Sequence, residues 1–274
     1  MVIDSHVHLL DPRLREQADE IVKNLKKNGV ECVVEISADV SESRESVEFA
    51  GRHKNVYCTI GVHPIFADSF CDEFEVWALE QKGNKKIVAV GECGLDYYHG
   101  VTRFSSEARG SFHMDTSKAL QREVFIRQIK LSEKMGLPLV VHSRDAFDDT
   151  FEILSGHMKY LKHGIVLHCF SGGAEEVERF KALDVYFAFG GAITYKNAGM
   201  SADAIKAVPR DRLMIETDCP YLAPVPIRGT VNEPKNVKYV AEHIAGVLGI
   251  SFDEVAKLTT ANTKKFYNIE KPVG

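Results

Sequence analysis

Apolar residues rich in Val, Ile, Cys, Phe and Tyr gather into short runs near residues 2–9, 30–37, 56–62, 86–93, 138–142, 164–170, 185–190 and 213–217. Runs of this length, bounded by Gly and charged residues, predict eight buried strands. Most are separated by polar segments with apolar residues at helical spacing, such as Leu14 to Lys27, Glu73 to Gln81, Leu120 to Met135 and Glu175 to Leu183. An open doubly wound sheet shows similar alternation, but eight repeats favour an α/β fold of the (β/α)8 TIM-barrel type. Gly29, Gly136 and Gly164 fall just after helical or polar segments, where a helix stops and the next strand starts almost at once.

The segments that follow strands have a different character. His99 to Ser117, after the fourth strand, and Pro220 to Pro234, after the eighth, are long and irregular in composition. Barrel enzymes carry their chemistry on the loops after the strands, so the candidate site belongs there. Val237 to Leu248 and Phe252 to Tyr267 predict two C-terminal amphipathic helices that close the barrel. No linker or low-complexity tract divides the 274 residues, and residues 1–274 are expected to form one domain.

Composition changes this picture little. The sequence is 45% apolar and 27% charged, as in globular proteins. Its 34 basic and 39 acidic residues leave a formal charge of −5, so no overall positive field draws in a polyanion, and a nucleic acid must be held locally. The N-terminus lacks the basic start and apolar stretch of a secretory signal, and no run of apolar residues is long enough to cross a membrane. The cysteines at 32, 58, 71, 93, 169 and 219 show no paired spacing, which predicts a reduced, cytoplasmic protein.

The first strand carries Asp4, His6 and His8 at alternate positions, so a two-residue period turns all three side chains to one face. Glu92, His142, His168 and Asp218 then stand where later strands end and their loops begin. Buried singly, such groups cost several kcal/mol each, roughly, and so need partners. A shared metal site supplies them: His nitrogen with Asp and Glu oxygen suits zinc, manganese or magnesium, and Glu92 has two oxygens with which to bridge two ions. Cys93, Cys169 and Cys219 each follow a ligand candidate directly; alternation turns them toward the helices as packing groups. Glu216 and Asp4 lie one layer below Asp218 and His6, either orienting a ligand histidine or pairing as core charges.

With these residues in place, the chain resembles the TatD family of metal-dependent deoxyribonucleases, within the amidohydrolase-like barrels. The resemblance rests on DSHVHL from Asp4, GVHP from Gly61, GECGLDYY from Gly91, HSRDA from His142, HCFSG from His168, ETDCPYLAP from Glu216, and PIRG and NEP beyond it. It implies two divalent cations: His6 and His8 on one, completed by Asp218, His142 and His168 on the other, and Glu92 between them. It also implies hydrolysis of DNA phosphodiesters with trimming from the 3′ end, and it brings no obligate protein partner with it. The segment after GLDYY is longer than in relatives and has the composition of either a lid or a solvated loop; His99 and His113 within it are expected not to be ligands.

A water held by divalent cations loses its proton far more readily than bulk water, and Asp218 is the candidate to take that proton and return it to the leaving oxygen. Arg144, Arg228 and His63 are candidate phosphate contacts, although each arginine is open to a surface ion pair instead and His63 to a backbone hydrogen bond. Two other functions use the same residues: hydrolysis of an amide, lactone or phosphotriester, and metal or nucleic-acid binding without turnover. Relatives that act on the former substrates often bridge their metals with a carbamylated lysine, where this chain has Glu92.

Overall fold

The strands form because their β-branched and aromatic residues pack on both sides of a sheet, which leaves no face to solvent. The computed structural model describes residues 1–98 and 117–269. Eight parallel strands run in chain order, β1 (Val2–Val7), β2 (Val30–Glu35), β3 (Val56–Ile60), β4 (Ile87–Asp96), β5 (Leu139–Arg144), β6 (Ile165–Leu167), β7 (Tyr186–Phe189) and β8 (Leu213–Ile215). All eight fall within or overlap the runs predicted above. The ring closes beyond β8: Val7 pairs in parallel with Cys219, Asp218 N donates to His6 O at 3.0 Å, and His8 N donates to Cys219 O at 2.8 Å. The fold is a TIM barrel, as expected.

The surrounding helices are α1 (Ala18–Asn24), α2 (Val40–Arg52), α3 (Asp72–Glu80), α4 (Lys118–Met135), α5 (Phe147–Gly156), α6 (Ala174–Lys181), α7 (Ser201–Ala207), α8 (Val237–Leu248) and α9 (Phe252–Tyr267). Their ends follow local chemistry. Ser117 caps α4 by accepting from Leu120 N at 3.2 Å, and Gly136 ends it in the left-handed region. None of the helices among the described residues is long and apolar enough to cross a membrane. Residues 99–116, which hold most of the long segment after β4 with His99 and His113, lie outside the described residues.

Alternation along the strands builds two apolar layers. Val33, Leu139, Val141, Phe187 and Leu213 face outward to meet Phe49, Phe125 and Phe180 of the helices. Val34, Val140, Val166, Ala188 and Met214 face inward. Phe266 and Tyr267, at the end of α9, and Ile269 just beyond it join the inner layer, and Tyr267 Oη donates to Ser5 O at 3.2 Å. The last helix therefore plugs the barrel at the ends where the strands begin. Apolar filling on that side leaves most inward-facing polar groups toward the opposite, carboxyl ends of the strands.

Candidate metal centre

Inward alternation from Val140 and Val166 leads directly to His142 and His168. Glu92 and Asp218 need more than alternation. Val90 and Cys93 both face the helices, and the register of β4 on β5 slips between them. Gly91, at φ 143°, lets the chain turn Glu92 inward there. Asp218 lies beyond β8 with φ 56°, a left-handed position that an Asp tolerates, and this bend aims its carboxylate at β1.

The six ligand candidates converge. His6 Nε2 and His8 Nε2 stand 3.2 Å apart, and Asp218 Oδ1 is 3.7 Å from the first and 3.4 Å from the second. Glu92 divides its carboxylate. Its Oε2 lies 3.4 Å from His6 Nε2 and 3.9 Å from His8 Nε2, while its Oε1 lies 2.9 Å from His142 Nδ1 and 2.7 Å from His168 Nε2. The rings of His6 and His168 stack at 4.0 Å between these two groups.

Hydrogen bonds behind the rings set their tautomers. His8 Nδ1 lies 3.0 Å from Ile36 O, which only accepts, so Nδ1 carries a proton and, once the ring is neutral, the lone pair on Nε2 faces the site. His142 Nε2 lies 3.1 Å from Asp96 Oδ2, which leaves its Nδ1 toward Glu92. Glu216 Oε1, 3.4 Å from His168 Nδ1, also accepts from Cys169 N at 2.6 Å. Burial alone raises the pKa of Glu92, yet the imidazoles of His168 and His63 and hydrogen bonds from His142 and His168 hold it well below its ordinary value. Burial likewise opposes ionisation of Asp218, and His8, then His6, outweigh it.

The donor set fits divalent ions. Neighbouring ligands on a tetrahedral ion bound at about 2.1 Å are about 3.4 Å apart, close to the spacings of His6, His8, Asp218 and Glu92 Oε2. Glu92 Oε1, His142 and His168 form a second set, whose nitrogens are 3.1 Å apart. His63, Asp96 and His142 are also mutually close, but their tautomers oppose a third ion. His63 Nδ1 accepts from Ile65 N at 3.2 Å, so its Nε2 carries the proton, and His142 Nε2 donates to Asp96.

The remaining sequence candidates separate. His63 stays at the site, with Nε2 3.6 Å from Glu92 Oε1. Arg144 and Arg228 are exposed, and neither pairs with a carboxylate among the described residues; each lies over a tyrosine ring, Arg144 3.9 Å above Tyr98 and Arg228 4.2 Å above Tyr195. Asp4 turns to Thr217, accepting from its N at 2.8 Å and its Oγ1 at 2.6 Å, rather than to a ligand ring. Cys93 and Cys219 pack outward as expected, but Cys169 does not. β6 ends at Leu167, and a φ of 44° at Cys169 breaks the alternation, leaving the residue partly exposed.

Sequence reasoning missed Asp96, although a two-residue step past Gly94 from Glu92 marks it as a candidate for the same side. It also missed Glu35, whose carboxylate accepts from Leu9 N at 2.8 Å and Leu10 N at 3.2 Å and so holds the chain just after His8. Tyr221 meets the His8 ring edge to face at 5.9 Å and donates to Asp11, which Arg13 also grips.

The family model described as TatD related DNase matches residues 3–268. The uncharacterized metal-dependent hydrolase YabD of Bacillus subtilis is 37% identical over 98% of this chain and 100% of its own length. A Shigella flexneri protein named 3'-5' ssDNA/RNA exonuclease TatD is 26% identical, over 98% of this chain and 99% of its own. The crystal structure of YjjV, a TatD homologue from Escherichia coli, superposes with a TM-score of 0.87 at 27% identity, covering 98% of each chain. With its barrel, its ligand cluster and a match along nearly its whole length, the chain belongs to the TatD-related DNase family and is a metal-dependent hydrolase.

Proposed function

We propose that this hydrolase cleaves DNA phosphodiester bonds, releasing nucleotides from the 3′ end, and that residues 1–274 work as one domain. The observation that carries this reading is the divided carboxylate of Glu92, with one oxygen facing His6 and His8 and the other facing His142 and His168. That division suits two divalent cations, of zinc, manganese or magnesium: His6, His8 and Asp218 would hold one, His142 and His168 the other, and Glu92 would serve both. Ions bound there would supply Lewis acidity and would lower the pKa of a water toward neutrality. The family description and the activity named for the Shigella relative support a nucleic-acid substrate.

The chain's own groups divide the remaining work. Asp218, ionised and only partly enclosed, takes a proton from the attacking water and returns it to the leaving oxygen. His63 stays neutral, its pKa lowered to about 3 by burial and by His142, and offers its Nε2–H to a phosphoryl oxygen. Arg144 and Arg228 lie at the rim, where their charge meets the phosphates that flank the scissile bond.

Purified protein is tested on 3′-labelled single-stranded DNA beside a panel of lactones and esters, before and after chelation. Metal-dependent release of nucleotides is expected, with Glu92→Ala and Asp218→Ala inactive yet folded. Turnover of a lactone or ester with no release of nucleotides overturns the nuclease reading. DNA retention without turnover of any substrate points to a binding protein. Elemental analysis of untreated protein identifies the ions and their number.

A further inference from the structure

Two arginines at the mouth that pair with no carboxylate among the described residues share one arrangement. Arg144, at the end of β5, lies 3.9 Å above the ring of Tyr98, which follows β4 and is 46% exposed. Arg228, in the segment after β8, lies 4.2 Å above Tyr195, which follows β7. Tyr195 Oη donates to Ala223 O at 2.9 Å, so that ring is tied across two loops. The ring order β4-β5-β6-β7-β8 puts the two stacks on either side of β6, the strand that leads to His168.

A protein with 39 acidic and 34 basic residues has carboxylates enough to neutralise its exposed arginines. Arg127 and Arg179, on the outer helices α4 and α6, and Arg212, just before β8, are paired in that way. Arg144 and Arg228 pair with no carboxylate among the described residues and, as Arg44 and Arg52 of α2 do over Trp77 and Phe49, each lays a flat cation on a flat ring, but at the end of the barrel that carries the ligand cluster. Planar surfaces with an unneutralised edge match a nucleotide chain: a base stacks on the plane and the N–H edge meets a phosphate. In a duplex the base faces are buried against one another, so only an unpaired strand offers them.

We propose that Tyr98 with Arg144 and Tyr195 with Arg228 are two stacking platforms that grip unpaired bases on either side of the metal centre. They give the site its preference for a single strand several nucleotides long. The proposal rests on the nuclease reading and adds to it the residues that hold the strand. Tyr98 and Arg144 act by holding the strand, not by moving a proton.

The test measures KM and kcat for a long oligothymidylate and for the dinucleotide TpT, in wild type, Tyr98→Ala, Tyr98→Phe and Arg144→Ala. With both stacks intact, wild type binds the long strand more tightly than TpT. Tyr98→Ala is expected to raise KM for the long strand roughly 5- to 150-fold, with a much smaller change for TpT. Tyr98→Phe, which keeps the ring, retains the wild-type length dependence. Arg144→Ala raises KM and flattens its dependence on salt. Quenching of 2-aminopurine in the strand follows the ring in the same order. If wild type degrades the strands and Tyr98→Ala and Arg144→Ala show its length dependence unchanged, the platforms are refuted while the nuclease reading stands. If wild type degrades neither strand but hydrolyses bis(p-nitrophenyl) phosphate, the nuclease reading itself fails and the platforms fall with it.

Discussion

The Asp96 carboxylate meets Nε2 of His142 at 3.1 Å, on the side of the ring away from the Nδ1 that faces Glu92. Asp96 thereby fixes both the tilt of the ring and the nitrogen that keeps a lone pair. Partners of this kind typically contribute about 10–100-fold in metal affinity. Asp96→Ala is expected to lose metal by that factor in a chelator competition, with the barrel's circular dichroism retained. Wild-type affinity in the variant contradicts the role.

Glu35 anchors the chain after His8 by accepting two buried amides, those of Leu9 and Leu10. Glu35→Ala leaves both without an acceptor, at about 1–3 kcal/mol for each. Urea unfolding is expected to show a lower midpoint with an unchanged slope. A midpoint equal to wild type means that water replaces the carboxylate fully.

Metal loading releases protons. In the metal-free protein burial lowers the pKa of His8, but the hydrogen bond and charge of Asp218, with Glu92, raise it to about 9. A pKa raised in the folded state adds stability that is fully present below the unfolded value, about 6.5, and is lost as pH rises through about 9. A ligand imidazole must be neutral, so metal affinity is expected to climb between pH 6.5 and 9, and loading near pH 7 to expel a proton. Titration calorimetry in buffers of different ionisation enthalpy reads this proton, and heats independent of buffer rule it out.

Gly61 and Gly91 touch backbone to backbone: a Cβ on Gly61 meets the Gly91 carbonyl carbon and Cα at 2.6 Å. Main chain has no rotamer by which to yield, and Glu92 follows Gly91 directly. Gly61→Ala is expected to cost about 1–3 kcal/mol or more and to lower metal content. Gly51, in α2, has open space around it, so Gly51→Ala should stabilise by about 0.4–1 kcal/mol. Equal melting temperatures for the two variants refute the close-approach account.

The site was legible to different depths in different residues. His6, His8, His142 and His168 obey the period of their strands, so a pattern visible in the chain leads to where they point. Asp96 and Glu35 escaped because their partners, His142 and the amides of Leu9 and Leu10, belong to other strands or loops, and no local period marks such a pair. Arg144 and Arg228 were expected beside phosphate or in ion pairs; their stacking on Tyr98 and Tyr195 depends on which loops are neighbours.

Sequence by itself determined the eight strands, the end of the barrel that carries chemistry and the six groups that converge there. Each is a consequence of local hydrophobic periodicity and of the cost of burying a lone polar group. Only the tertiary structure decided how Glu92 and Asp218 turn inward, since a bulge at Gly91 and a left-handed residue after β8 replace simple alternation. It also decided which carboxylate orients which imidazole. Those outcomes depend on the register between strands distant in sequence, and register is set by the packing of the whole ring.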